Sequence, residues 1–194
     1  MLEIIGIVSG LLAIVAVVPY IRDIIKKKTR PERASWLIWT VLGGIAFFSQ
    51  LAKGATNSLW MTALSTLCVL VVFLLSLKHG EGGLVRRDIV ALLVALLGLV
   101  LWYFTKDATI ALLIVIGVDL SGSFLTIIKS YEDPESETMS TWILASISGL
   151  FGTISVGTLN WVLLMYPLYI LFANLAVTIA IILGKKKLLK KSRQ

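Results

Sequence analysis

Long apolar segments separated by short polar loops are the feature of this sequence that most restricts its fold. A hydrocarbon core about 30 Å thick is spanned by about 20 residues of helix, and a backbone in lipid must satisfy its own hydrogen bonds. The chain is 58% hydrophobic with a mean hydropathy of +0.94, which a water-soluble domain would hardly reach. We therefore predict an all-α integral membrane protein with seven transmembrane helices, approximately Ile4–Ile25, Trp36–Leu51, Leu59–Leu77, Ile89–Phe104, Thr109–Ile128, Thr141–Val156 and Trp161–Leu183.

The distribution of basic residues predicts the orientation of these spans. Of the 18 Lys and Arg residues, only Lys53 and Lys106 fall in loops on one side, and the others fall on the opposite side. Because cytoplasmic loops carry the excess of basic residues, the sequence predicts an N-terminus outside and a C-terminus in the cytoplasm. The predicted location is the cell (inner) membrane, in a multi-pass topology.

Several function classes have no signal in the sequence. The net charge of +7 is gathered between apolar runs and does not form a nucleic-acid-binding stripe. One cysteine, Cys68, and one histidine, His79, are too few ligands for a conventional transition-metal cage. Catalytic motifs and phosphate loops are also absent from the sequence, so we predict no enzyme activity, no cofactor and no nucleic-acid partner.

An internal repeat is indicated by matching segments about 103 to 106 residues apart. Ile24-Ile25-Lys26 matches Ile127-Ile128-Lys129, and Trp36 matches Trp142 after a small insertion. The alignment predicts two parallel three-helix repeats, residues 1–80 and 108–194, joined by a linker helix within residues 81–107. This 3+1+3 layout is typical of transporters whose repeats are related by an axis along the membrane normal, with a substrate site near the midplane.

The layout, together with the stretch "VPYIRDIIKKKTRPERASW", resembles the PQ-loop and SWEET superfamily of membrane transporters. The turn "TRPERASW" also resembles bacterial membrane proteins of unassigned function. The first span of the superfamily carries a Pro-Gln pair before a basic turn, whereas Tyr20 follows Pro19 here, and Gly122 and Ser123 stand in the second half. The resemblance implies alternating access at a midplane site but does not imply a sugar as the solute.

Candidate substrate-binding residues lie near the middle of the predicted spans. Asp119 is an acidic residue in the centre of the fifth span, where an unpaired charge costs on the order of 3 kcal/mol and usually marks a functional site. A protonated Asp119 that only joins helices is the structural alternative. Asn174 resembles the seventh-span asparagine that SWEET proteins use for substrate recognition, although a helix-to-helix hydrogen bond explains it equally well. Ser65 and Thr66 occupy the corresponding part of the third span.

The sequence also predicts a pair of hinges and a cytoplasmic gate. Pro19 and Gly122 lie at equivalent places in the first and fifth spans and are candidate hinges. Arg30 and Arg33 in one cytoplasmic loop, and Glu135 and Glu137 in the equivalent loop, are a candidate cytoplasmic gate held by charge attraction. A basic loop that sets topology and binds anionic lipid is the favoured alternative.

The predicted function is therefore transport of a small solute, with a proton as a candidate coupling ion. The partners are the solute and the lipid bilayer, and a homo-oligomer is left open. A non-transporting membrane subunit or a receptor-like protein is the alternative function.

Overall fold

The computed structural model describes residues 1–27, 31, 33–80, 86–135 and 137–191 of the chain. This described part is built from helices, and one helix covers each apolar segment of the sequence. The all-α class is therefore confirmed. The helices are α1 (Leu2–Ile25), α2 (Arg33–Ala52), α3 (Leu59–His79), α4 (Arg86–Thr105), α5 (Ala108–Glu132), α6 (Met139–Ser155) and α7 (Trp161–Lys191).

Four of these helices are long and apolar enough to cross a membrane within the described residues. They cover Leu2–Ile25, Ser35–Ala52, Leu59–His79 and Trp161–Lys190. Shorter apolar stretches cover Ala108–Leu120 in α5 and all of α6. The helices are thus compatible with a membrane protein and with a membrane location.

The burial pattern of α1 shows why this surface suits lipid. Its buried positions carry mainly glycine, serine and alanine, including Ser9 and Ala13, while large side chains such as Ile4 and Val18 are more than half exposed. A water-soluble helix has the reverse arrangement, because burial of large apolar side chains drives its folding. In a bilayer, small residues face neighbouring helices so that the backbones approach closely, and large apolar residues face the lipid tails.

The helices pack in a regular pattern around α3 and α7. Helix α3 packs against α1 and α2, and α7 packs against α5 and α6. Two seams join these groups, one between α1 and α6 and the other between α2 and α5. Helix α4 lies outside this arrangement, against α5 and α2.

The seam between α1 and α6 is built from small and polar side chains. The Ser9 hydroxyl donates to the Ser148 carbonyl at 2.7 Å, and the Ser148 hydroxyl donates to the Ser9 carbonyl at 2.8 Å. Both serines are almost completely buried. Next to them, a Cβ added at Gly149 would lie 2.6 Å from the backbone nitrogen of Leu171, so only glycine lets α6 approach α7 this closely. These features hold α1, α6 and α7 together.

The seam between α2 and α5 is built from bulky apolar side chains instead. Leu42 on α2 and Leu112 on α5 are buried in one cluster with Ile45 and Val115. In the repeat alignment predicted from the sequence, Leu42 and Leu112 occupy the places of Ser148 and Ser9. The two seams therefore occupy equivalent places in that alignment with different chemistry: one is held by reciprocal hydrogen bonds and the other by apolar contact.

Candidate functional site

Asp119 lies in the middle of α5 and is only partly exposed. At a rise of 1.5 Å per residue it is about 17 Å along the axis from Ala108, where α5 begins. Trp39 on α2 is about 20 Å from Ala52, the outward end of α2 in the predicted orientation. Tyr169 on α7 is about 12 Å from Trp161, where α7 begins. Three helices thus contribute to one level near the middle of the bundle.

Neutral polar side chains lie beside the Asp119 carboxylate at this level. The Tyr169 hydroxyl donates to Asp119 Oδ2 at 2.9 Å, and Tyr169 Oη lies 3.0 Å from Ser123 Oγ, one turn along α5. The indole of Trp39 lies beside the same carboxylate. Asp119 therefore has a hydrogen-bond partner on α7 and a polar neighbour on α2, which compensate part of the cost of placing a carboxylate in an apolar bundle.

Aromatic rings extend from this carboxylate in two directions. On one side the Trp39 and Trp36 ring centroids are 5.1 Å apart, and those of Trp36 and Tyr20 are also 5.1 Å apart. On the other side the Tyr169 and Tyr166 centroids are 6.4 Å apart. The carboxylate thus stands between two aromatic groups drawn from α1, α2 and α7.

Apolar packing closes the side of this level that faces outward in the predicted orientation. The buried cluster contains Leu42 and Ile45 on α2 and Leu112 and Val115 on α5, all nearer than Asp119 or Trp39 to the ends of their helices on that side. Tyr166 belongs to the same cluster, and Trp39 and Tyr169 pack against it. Asp119 therefore lies beneath an apolar layer.

An ion pair joins α2 and α5 at the same ends of these helices, beyond the apolar layer. Lys53 Nζ lies 2.5 Å from Asp107 Oδ1. The same carboxylate oxygen accepts a 2.9 Å hydrogen bond from the backbone N–H of Thr109 and so caps the start of α5. The hydrogen bond from Lys53 and that from Thr109 both favour the ionised form, which lowers the pKa of Asp107 to about 2. The two loops are thereby tied together.

The other predicted binding residues make hydrogen bonds within their own helices. The Asn174 amide donates to the Ile170 carbonyl at 2.6 Å, and the Ser65 and Thr66 hydroxyls donate to the Met61 and Thr62 carbonyls, each at 2.7 Å. Thr66 also packs against α2, since a Cβ added at Gly43 would lie 2.6 Å from its hydroxyl oxygen. The structure brings Asp119 together with Tyr169, Ser123 and Trp39, and it gives Asn174, Ser65 and Thr66 local partners.

The predicted hinge residues both lie inside helices. Helix α1 continues through Pro19, and Gly122 falls within α5. The surroundings of Gly122 lie outside the described residues. A further helical proline, Pro167, is buried in the interior of α7, two positions before Tyr169 in the sequence.

The predicted cytoplasmic gate residues contact several different groups. The Arg33 guanidinium donates to the Ser76 carbonyl at 3.0 Å and to the Gly80 carbonyl at 2.8 Å, at the end of α3. Glu137 accepts a 3.1 Å hydrogen bond from the Trp142 indole, and Glu135 is exposed. Arg30 lies outside the described residues. Arg33 thus stabilises the C-terminus of α3, where a positive charge meets the negative end of the helix dipole.

The binding residues predicted from the sequence do not include Trp39, Tyr169 or Ser123. Trp39 lies near the cytoplasmic end of its predicted span, which is typical of an interfacial anchor. A signal for Tyr169 exists: Tyr166 and Tyr169 lie one turn apart in an apolar segment, and a buried phenol needs a hydrogen-bond partner. Asp119 is an acceptor at a matching depth.

Comparison of the chain with family models, with curated proteins and with solved structures gives no match. The function is therefore inferred from the geometry of the site itself.

Proposed function

We propose that this chain is a seven-span membrane protein that transports a small solute by alternating access, with Asp119 at the centre of the solute site. The observation that carries the proposal is the Asp119 carboxylate, which lies in the middle of the bundle with a hydrogen bond from Tyr169 of α7 and the Trp39 indole of α2 beside it. A charged residue inside a membrane bundle is costly and usually faces a pathway for substrate or ions. If Asp119 only packed helices together, an apolar residue at this position would stabilise the bundle equally well.

The helix packing supports two parallel three-helix repeats. In the predicted repeat, α1, α2 and α3 correspond to α5, α6 and α7. The packed pairs α1–α3 and α2–α3 therefore correspond to α5–α7 and α6–α7, which also pack. In the same way, the seam between α1 and α6 corresponds to that between α5 and α2. The less extensive contact of α3 with α6 corresponds to that of α7 with α2. This exchange is what a pseudo-two-fold axis along the membrane normal predicts, and it agrees with the resemblance to the PQ-loop and SWEET superfamily.

The apolar layer supports a conformation in which the site is sealed from the outside. The apolar cluster lies above Asp119, and Lys53 and Asp107 tie the ends of α2 and α5. An alternating-access cycle requires this seam to open, while the hydrogen-bonded seam between α1 and α6 keeps the halves joined. An apolar seam suits such a movement, because lipid tails or solute can replace its contacts without leaving hydrogen-bonding groups unpaired.

The test is uptake by purified protein in proteoliposomes. The vesicles are incubated with a defined mixture of sugars, amino acids, vitamins and amines, and their contents are analysed by mass spectrometry. We expect at least one solute to enter vesicles that contain the wild-type protein, and the Asp119→Asn variant to lower its uptake at least tenfold. The control is Glu3→Gln, which removes an exposed carboxylate in the first turn of α1.

If no solute enters faster than it enters protein-free vesicles, the transport proposal fails. The same is true if Asp119→Asn and Glu3→Gln transport equally well. A non-transporting subunit or receptor-like protein would then be the better interpretation.

A further inference from the structure

We infer that the solute is a small organic cation, recognised by the Asp119 carboxylate and the aromatic rings beside it. The inference rests on the proposed function, because it names the class of solute that this same site takes. It is carried by the juxtaposition of one carboxylate with aromatic side chains from two helices, in segments of α2, α5 and α7 whose sequence contains no Lys or Arg.

The first step concerns charge. Lys and Arg are absent from residues 34–52 of α2, from residues 107–128 around Asp119 and from residues 161–184 of α7. The side chains beside the Asp119 carboxylate are the Tyr169 phenol, which donates a hydrogen bond to it, and the Trp39 indole, and both are neutral. They stabilise the carboxylate but do not neutralise its charge, so a cationic solute can supply the opposite charge.

The second step concerns the kind of cation. Tyr169 donates a hydrogen bond to Asp119, the Trp39 indole lies beside the same carboxylate, and both residues carry an aromatic ring there. Aromatic faces attract ammonium and guanidinium groups, and this attraction strengthens when water is excluded. A calcium or magnesium ion would instead require about six oxygen ligands. One carboxylate among rings and two hydroxyls therefore suits an organic cation better than a metal ion.

The third step concerns the inward path. Trp39, Trp36 and Tyr20 form a continuous group of rings that leads toward the ends of α1 and α2 predicted to be cytoplasmic. Glu137 lies close enough for its charge to act on Tyr20, and it is held by the Trp142 indole. A cation moving along these rings would therefore meet a carboxylate at each end. The nearby Arg33 is directed at the α3 carbonyls, which reduces its repulsion of such a cation.

The experiment compares choline with 3,3-dimethylbutan-1-ol, which has the same shape with a carbon atom in place of the charged nitrogen. Tetramethylammonium and guanidinium are added as further cations. Binding to purified wild-type protein is measured by thermal shift and by tryptophan fluorescence, and uptake is measured in proteoliposomes. We expect at least one of the three cations to bind and to enter, and 3,3-dimethylbutan-1-ol to bind at least tenfold more weakly than choline.

Variants then assign the binding to this site. Asp119→Asn should weaken cation binding at least tenfold. Trp39→Leu should weaken it by about two- to thirtyfold, while Trp39→Phe, which keeps an aromatic face, should weaken it less. The control is Trp161→Phe at the exposed start of α7, which should bind cations as the wild type does. Gel filtration verifies that each variant is folded, and the two Trp39 variants keep the test valid if Asp119→Asn does not fold.

The outcomes separate this inference from the proposed function. If sugars or other neutral solutes enter and the three cations neither bind nor enter, the organic-cation inference is wrong and transport stands. Equal binding of choline and its neutral analogue, or unchanged cation binding in Asp119→Asn, also overturns the inference. If no solute of any class enters, the transport proposal itself fails.

Discussion

The reciprocal hydrogen bonds between Ser9 and Ser148 give the most quantitative prediction, since they hold the seam between α1 and α6. The relevant variants are Ser9→Ala, Ser148→Ala and the double variant. Both side chains are almost completely buried, and alanine removes only the hydroxyl. Each variant therefore removes one interhelical hydrogen bond of 2.7 or 2.8 Å and creates little space.

The expected loss follows from the strength of helix contacts in bilayers. An interhelical hydrogen bond there contributes about 0.6 kcal/mol on average, because the separated helices also find partners. Each single variant should therefore lower the free energy of unfolding by about 0.6 kcal/mol and the double variant by about 1.2 kcal/mol. The latter corresponds to about an eightfold change in the unfolding equilibrium. The higher helix propensity of alanine adds little, because the helices persist in the separated state.

The assay is reversible unfolding in mixed micelles with increasing sodium dodecyl sulfate, followed by tryptophan fluorescence. Ser65→Ala is the matched control: its hydroxyl bonds to Met61 of the same helix, so this bond survives when helices separate. If Ser9→Ala and Ser148→Ala lose no more stability than Ser65→Ala, the seam is not held by these bonds. A double variant that is no weaker than either single variant would show that the two bonds act as one unit.

Three further predictions address other parts of the molecule. Gly149→Leu should prevent α6 from packing on α7, because the Leu171 backbone occupies the space of a side chain, and gel filtration should show loss of the folded protein. Lys53→Met should raise the pKa of Asp107 from about 2 toward its usual value. The ionised carboxylate stabilises the fold above its unfolded pKa, so on acidification the variant should lose this stability at a higher pH than the wild type. Carboxyl NMR measures the pKa of Asp107, and an unchanged pKa contradicts the pairing with Lys53. Pro19→Ala should slow exchange between conformations without altering topology, as measured by single-molecule fluorescence, and unchanged kinetics would make Pro19 a tolerated kink.

Asp119 and its neighbours illustrate how much of the candidate site the sequence can predict. A carboxylate far from any loop can be recognised from the sequence, because a charged side chain in the middle of an apolar span is rare and costly. The neighbours of this carboxylate cannot be identified from the sequence in this way. Trp39 and Tyr169 are 80 and 50 residues from Asp119, and only the packing of α2, α5 and α7 brings them together. Asn174, in contrast, is a candidate by its depth and by its resemblance to the SWEET asparagine, and its amide bonds to its own helix.

The sequence by itself determined the helical class and the positions of the helices, because apolar length and backbone hydrogen bonding are local properties. It also marked Asp119. Tertiary structure decided which residues meet that carboxylate and how the two seams differ. In the sequence Ser9 and Ser148 are ordinary small residues, and each hydroxyl reaches the other helix only when α1 and α6 lie side by side. Such contacts depend on the rotation and spacing of helices far apart in the chain, and no local pattern specifies these.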